Sequence, residues 1–182
     1  MKNLLIRNLS GKTVLISLIL ANIIYGIMLG ITIPAVLKYS QGKQIFDLLP
    51  LGYTPKYAHQ LLDVLGEKGR NAYLYQQIPF DLIYPFLFGL SYCLLLAYIL
   101  KKINRLDSGL YGACLFPIVG GLSDYLENFC VIGLLTQYPH FSDALVWSAA
   151  FFSVIKSLFT GLYFLVLIYT LGIWIGQSRR KL

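Results

Sequence analysis

The sequence predicts an all-α polytopic membrane protein, an antiparallel four-helix transmembrane bundle with a partly helical outer loop, and three observations carry that expectation. The 182-residue chain is 57% hydrophobic and only 13% charged, outside the range of soluble globular domains. Its apolar residues gather into four runs, at about 13–37, 78–100, 109–135 and 144–176, each long enough to cross ~30 Å of hydrocarbon at ~1.5 Å per residue. The charges behind the formal net +7 flank those runs: Lys2, Arg7 and Lys12 at the start, Lys101, Lys102 and Arg105 mid-chain, Arg179, Arg180 and Lys181 at the end. Basic residues placed that way follow the positive-inside rule and not a nucleic-acid footprint. Residues 1–182 should therefore form one domain in the lipid bilayer, the inner membrane if the source is bacterial, with both termini cytoplasmic and no nucleic-acid partner.

The first run follows a short basic segment and is too long for the apolar core of a signal peptide, so it reads as a retained helix. Asn22 within it is expected to hydrogen-bond a neighbouring helix. The stretch 38–77 mixes Lys38, Lys43, Lys56, Lys68 and Arg70 with Asp47, Asp63 and Glu67. Lacking the basic bias of the other flanks, it should lie outside. Within it Thr54 reads as an N-cap and Pro55 as the first helical position. Tyr57, Leu61, Val64 and Leu65 then share one face until Gly66 closes a short amphipathic helix, lying on the interface or over the mouth of the bundle.

In the second span Arg70, Tyr73, Gln77, Asp81 and Tyr84 follow helical steps of three and four, so one continuous helix would align them. Pro79 offers the alternative of a fresh helix start with Asp81 in its first turn, complementing the helix dipole. Pro85 should kink the helix and free a carbonyl. The loop 101–108 is basic and cytoplasmic. In the third span Pro117, Gly120, Gly121, Asp124, Glu127, Asn128 and Val131 make one stripe whose small residues invite close helix packing. The fourth span carries Trp147 and Trp174 near its ends as interfacial anchors, and a small, polar face of Ala149, Ser153, Lys156, Thr160 and Tyr163.

Helix rise converts these positions into depths. Asp124 lies about 12 residues below the outer boundary, Glu127 about 9 and Lys156 about 12, so all three fall at roughly 13–18 Å. A lone charge there costs at least ~2.5 kcal/mol, so pairing is expected. Two acids against one lysine leave a negative charge over. That surplus is protonated, binds a cation or meets Arg70, the nearest cation by helix register.

Several chemistries are weighed against this set. Asp124, Glu127 and Asn128 would suit a hard oxygen-loving ion, but no H-E-x-x-H or D-D-x-x-D spacing is present and a nearby lysine opposes it, so no metal is assigned and no cofactor is identified. Close carboxylates beside a lysine suit proton transfer, making Asp124, Glu127 and Lys156 the candidate catalytic residues, with Tyr84, Tyr125 and Tyr163 available to orient a substrate. Arg70, Tyr73, Asp81, Tyr84 and Asn128 are the candidate ligand-binding residues. No G-x-S-x-G or Ser-Lys motif points to a nucleophile. Cys93, Cys114 and Cys130 contain no C-x-x-C pair, and Cys114 and Cys130 would stand about 24 Å apart on one helix. That spacing argues against a disulfide-generating oxidoreductase. The function expected is binding or processing of a lipid-like or amphiphilic small molecule, whether or not by catalysis. The alternatives are a structural subunit with a membrane-complex partner, and a small proton-coupled carrier.

Overall fold

The computed structural model describes residues 9–179; Lys2, Arg7, Arg180 and Lys181 lie outside the described residues. Among the described residues the fold is all-helical, and four helices are long and apolar enough to cross a membrane. These are α1 (Gly11–Leu37), α2 (Pro55–Lys102), α3 (Gly109–Gln137) and α4 (Asp143–Arg179). Both α1 and α2 contain a π turn, at Met28–Thr32 and Tyr73–Gln77. Each turn ends two residues before a proline, Pro34 and Pro79. A proline ring crowds the carbonyl four residues back, and the wider turn moves that carbonyl aside. The helix therefore passes through Pro79 without a new start, contrary to the fresh-helix alternative.

The second helix begins where the sequence placed it, with Thr54 Oγ1 accepting from the Tyr57 amide at 3.3 Å and Pro55 at the first position. Gly66 does not close it. With φ 59° and ψ −175° it kinks the chain, and the helix resumes beyond. Only a residue without Cβ holds that conformation readily. Asn22 is also unlike its expectation: it is exposed and donates to the Leu18 carbonyl of its own helix at 2.8 Å.

In packing, α3 lies against both α2 and α4, and α1 leans on α2; α1 and α4 share no extended interface. The first turns of α2 sit over one end of the bundle, where Leu61, Leu62 and Leu65 bury against Val131, Leu134 and Val146. The segment between α1 and α2 turns inward there, with Ile45 and Phe46 fully buried. A second core, around Leu96, Ile99, Leu100, Tyr163 and Leu167, fills the opposite end.

Candidate functional site

The site begins with a missing donor. Pro85 has no N–H, so the carbonyl of Asp81, four residues earlier, loses its helical partner. Asn128 Nδ2 of α3 supplies the substitute at 2.9 Å. That bond sets Asp81 beside the polar stripe of α3. Gly121 allows the approach, because a Cβ there would stand 2.7 Å from the Pro85 carbonyl oxygen. On the neighbouring face of α3, Gly120 brings in α4, whose Thr160 Oγ1 would lie 3.3 Å from its Cβ.

With the helices so placed, the charges at matched depth meet. Lys156 Nζ lies 3.0 Å from Asp124 Oδ1, a hydrogen-bonded ion pair, and 2.5 Å from Glu127 Oε2. The second contact is an ion pair, and among the described residues Glu127 Oε1 is buried with no hydrogen-bond partner. Asp81 joins the set. It is 4% exposed, and among the described residues its carboxylate has neither a hydrogen bond nor an ion pair; Asn128 bonds its backbone carbonyl instead.

Sequence reasoning missed a fourth acid, Asp47. It sits on a single 3-10 turn, Phe46–Leu48, of the inward-turning segment. Its Oδ1 accepts from Tyr73 OH at 2.8 Å and its Oδ2 from Gln77 Nε2 at 2.9 Å. Thr32 Oγ1 donates to Gln77 Oε1, linking the two π turns. Ser153 Oγ donates to the Leu49 carbonyl at 3.2 Å and ties the segment to α4. Burial holds the Asp47 carboxyl above the usual carboxylate range, while the Lys156 charge and the Tyr73 hydrogen bond pull it back. Burial likewise pushes the Tyr53 hydroxyl up, reinforced by the Glu127 and Asp47 charges. The available signal was Ile45-Phe46-Asp47-Leu48-Leu49, an apolar run with one acid inside a hydrophilic stretch.

A cavity of about 470 Å³ opens onto this cluster. Asp47, Asp81, Asp124 and Lys156 supply its charged lining, and Tyr25, Leu29, Tyr84, Phe88, Gly120 and Phe164 line it as well. Because residues of both α1 and α4 line it and the two helices do not close against each other, the cavity lies in the gap between them.

The candidates from the sequence divide accordingly. Asp124, Glu127 and Lys156 come together as expected, and Asp81 and Tyr84 face the same cavity, Tyr84 stacked on Tyr25 with ring centroids 5.3 Å apart. Tyr73 is fully buried behind the cavity, holding Asp47. Asn128 is committed to the Asp81 carbonyl and has no place in the lining. Arg70 does not reach the acids. Its guanidinium lies 4.0 Å over the Tyr138 ring and donates to the Leu62 carbonyl at 2.8 Å, close to the kink at Gly66. Of the orienting tyrosines, Tyr163 donates to the Tyr92 carbonyl at 2.7 Å and Tyr125 lies beside Pro85 and Gly121 in a separate groove. Among the described residues no three His, Cys, Asp or Glu side chains converge as metal ligands.

Comparison with protein-family models, curated proteins and solved structures found no match.

Proposed function

We propose that the chain is an integral membrane protein, an antiparallel four-helix bundle with cytoplasmic termini, that binds or processes a lipid-like or amphiphilic small molecule in the cavity between α1 and α4. The observation that carries this reading is the cavity's mixed lining. Leu29 and Phe164 share it with Asp81, Asp124 and Lys156, so it offers both apolar surface for a tail and charge for a head. In a bilayer, the gap between α1 and α4 faces acyl chains. The neighbouring surfaces are apolar, with Leu15, Ile19 and Ile23 of α1 and Leu158, Leu165 and Ile168 of α4 exposed. The orientation rests on Lys101, Lys102, Arg105 and Arg179 at one end and on the charge-balanced 38–77 stretch at the other.

If the site is catalytic, the Asp124–Lys156 pair at the cavity wall is placed for proton transfer, with Glu127 behind it as the second acid. The same pair favours a second reading, a structural subunit, since Lys156 joins α4 to α3 whether or not a ligand is present.

The test is extraction and mass spectrometry of molecules retained by the purified protein, set against Gly161→Leu. A Cβ at Gly161 meets nothing within 4 Å and the residue lines the cavity, so the leucine should fill it and expel the occupant. Equal retention by both proteins, or no retained amphiphile, overturns the reading. Orientation is read separately in a background without native cysteines. Gln41→Cys should react with an impermeant thiol reagent in intact cells and Ser108→Cys should not; the reverse pattern inverts the topology.

A further inference from the structure

We propose that the occupant of the cavity carries a cationic ammonium head group, seated against the Asp81 carboxylate and the Tyr25–Tyr84 ring pair, a proposal that rests on reading the cavity as an amphiphile site. The charge count points to the sign. Asp47, Asp81 and Asp124 share the cavity lining with the cation Lys156, which also contacts Glu127. Lys156 is already engaged by Asp124 and Glu127, so an anionic head group would find no free cation there and would meet the remaining acids.

The position follows from which acid is left over. Asp47 has both oxygens satisfied by Tyr73 and Gln77. Asp81 is as deeply buried as the paired acids, lines the cavity and, among the described residues, has no donor to its carboxylate. A buried carboxylate without a donor is costly, and a charged donor is its best complement. Aromatic faces stand beside it: Tyr25 stacks on Tyr84 at 5.3 Å, and Phe88 lies 5.7 Å from Tyr84, all three lining the cavity. Ring faces attract ammonium groups, most strongly where water is excluded. Lys156, in the same lining and already paired with Asp124, repels a second cation and leaves Asp81 as the acid open to one.

The experiment measures binding of three chain-matched probes, dodecylamine, 1-dodecanol and dodecanoate, to the purified full-length protein in neutral detergent at pH 7. Dodecylamine should bind ~10-fold more tightly than dodecanol, with dodecanoate weakest, as a charged contact plus a cation–π contact predicts. Asp81→Asn should abolish the preference for the amine, bringing the amine-to-alcohol affinity ratio from ~10 to about 1. Tyr84→Leu, which keeps the acid, should weaken the amine more than the alcohol, and it supplies the readout if Asp81→Asn does not fold. If amine and alcohol bind equally and neither variant alters their ratio, the cationic head group is wrong while the amphiphile site stands. If none of the three binds, or Gly161→Leu leaves all binding intact, the amphiphile reading fails and this inference falls with it.

Discussion

At the end of the bundle away from the 38–54 segment, Leu96, Ile99, Leu100 and Leu167 close into an apolar core whose hydroxyls are satisfied where they stand. Tyr163 donates to Tyr92, Thr170 to Leu167 at 2.9 Å and Ser91 to Phe88 at 3.4 Å, all to backbone carbonyls. At the other end four acids gather around one lysine, and among the described residues the Tyr53 hydroxyl and both Glu127 carboxylate oxygens are buried without a hydrogen-bond partner. One end follows the rule that buried polar groups are paired, and the other breaks it repeatedly. Local rules are broken in this way where a site needs more than stability, and the broken end is the one with the cavity.

The comparison is tested most strongly at Lys156. Lys156→Met strips Asp124 and Glu127 of their cation and should cost about 3 kcal/mol, the scale of a broken buried pair. A second change, Glu127→Gln or Asp124→Asn, should recover much of that in thermal or denaturant unfolding. No recovery by either would show that the acids are not coupled to the lysine, and the cluster end would then differ from the apolar end only in composition.

A smaller effect sharpens the account of how the cluster is built. Asn128→Leu leaves the Asp81 carbonyl without a donor and should cost about 2 kcal/mol. In a Pro85→Ala background the helix regains its own N–H donor, and the same change should cost less than half as much. Equal costs in the two backgrounds would mean that Asn128 acts through something other than that carbonyl.

The smallest contrast sets one glycine against another. Gly121→Ala drives a methyl toward the Pro85 carbonyl oxygen and should destabilise by about 1–2 kcal/mol. Gly172→Ala on α4, where a Cβ meets nothing within 4 Å, should be neutral or stabilising by about 0.5–1 kcal/mol. If both changes behave alike, close helix approach is not what the cluster end depends on.

The four long apolar helices, the N-cap at Thr54 and the meeting of Asp124, Glu127 and Lys156 were all legible in the order of residues. Each follows from one-dimensional information: the span length, a capping residue before a proline, and a fixed rise that turns residue number into depth. The freed carbonyl at Pro85 was legible too, because the proline rule names the affected residue. What answered it was not. That Asn128 does so, and is thereby withdrawn from the ligand-binding candidates, depends on how α3 rolls against α2. Arg70 went astray for a related reason. The stripe from Arg70 to Tyr84 assumed an unbroken helix, but a π turn adds a residue and shifts the phase by about 100°, and Gly66 redirects the chain just before Arg70. Asp47 lies on a connecting segment, where no periodicity exists to assign a face. Only the tertiary structure could bring it in, because a segment without regular structure takes its position from the contacts it makes: here Ile45 and Phe46 buried, and Tyr73, Gln77 and Ser153 holding the chain beside the acids.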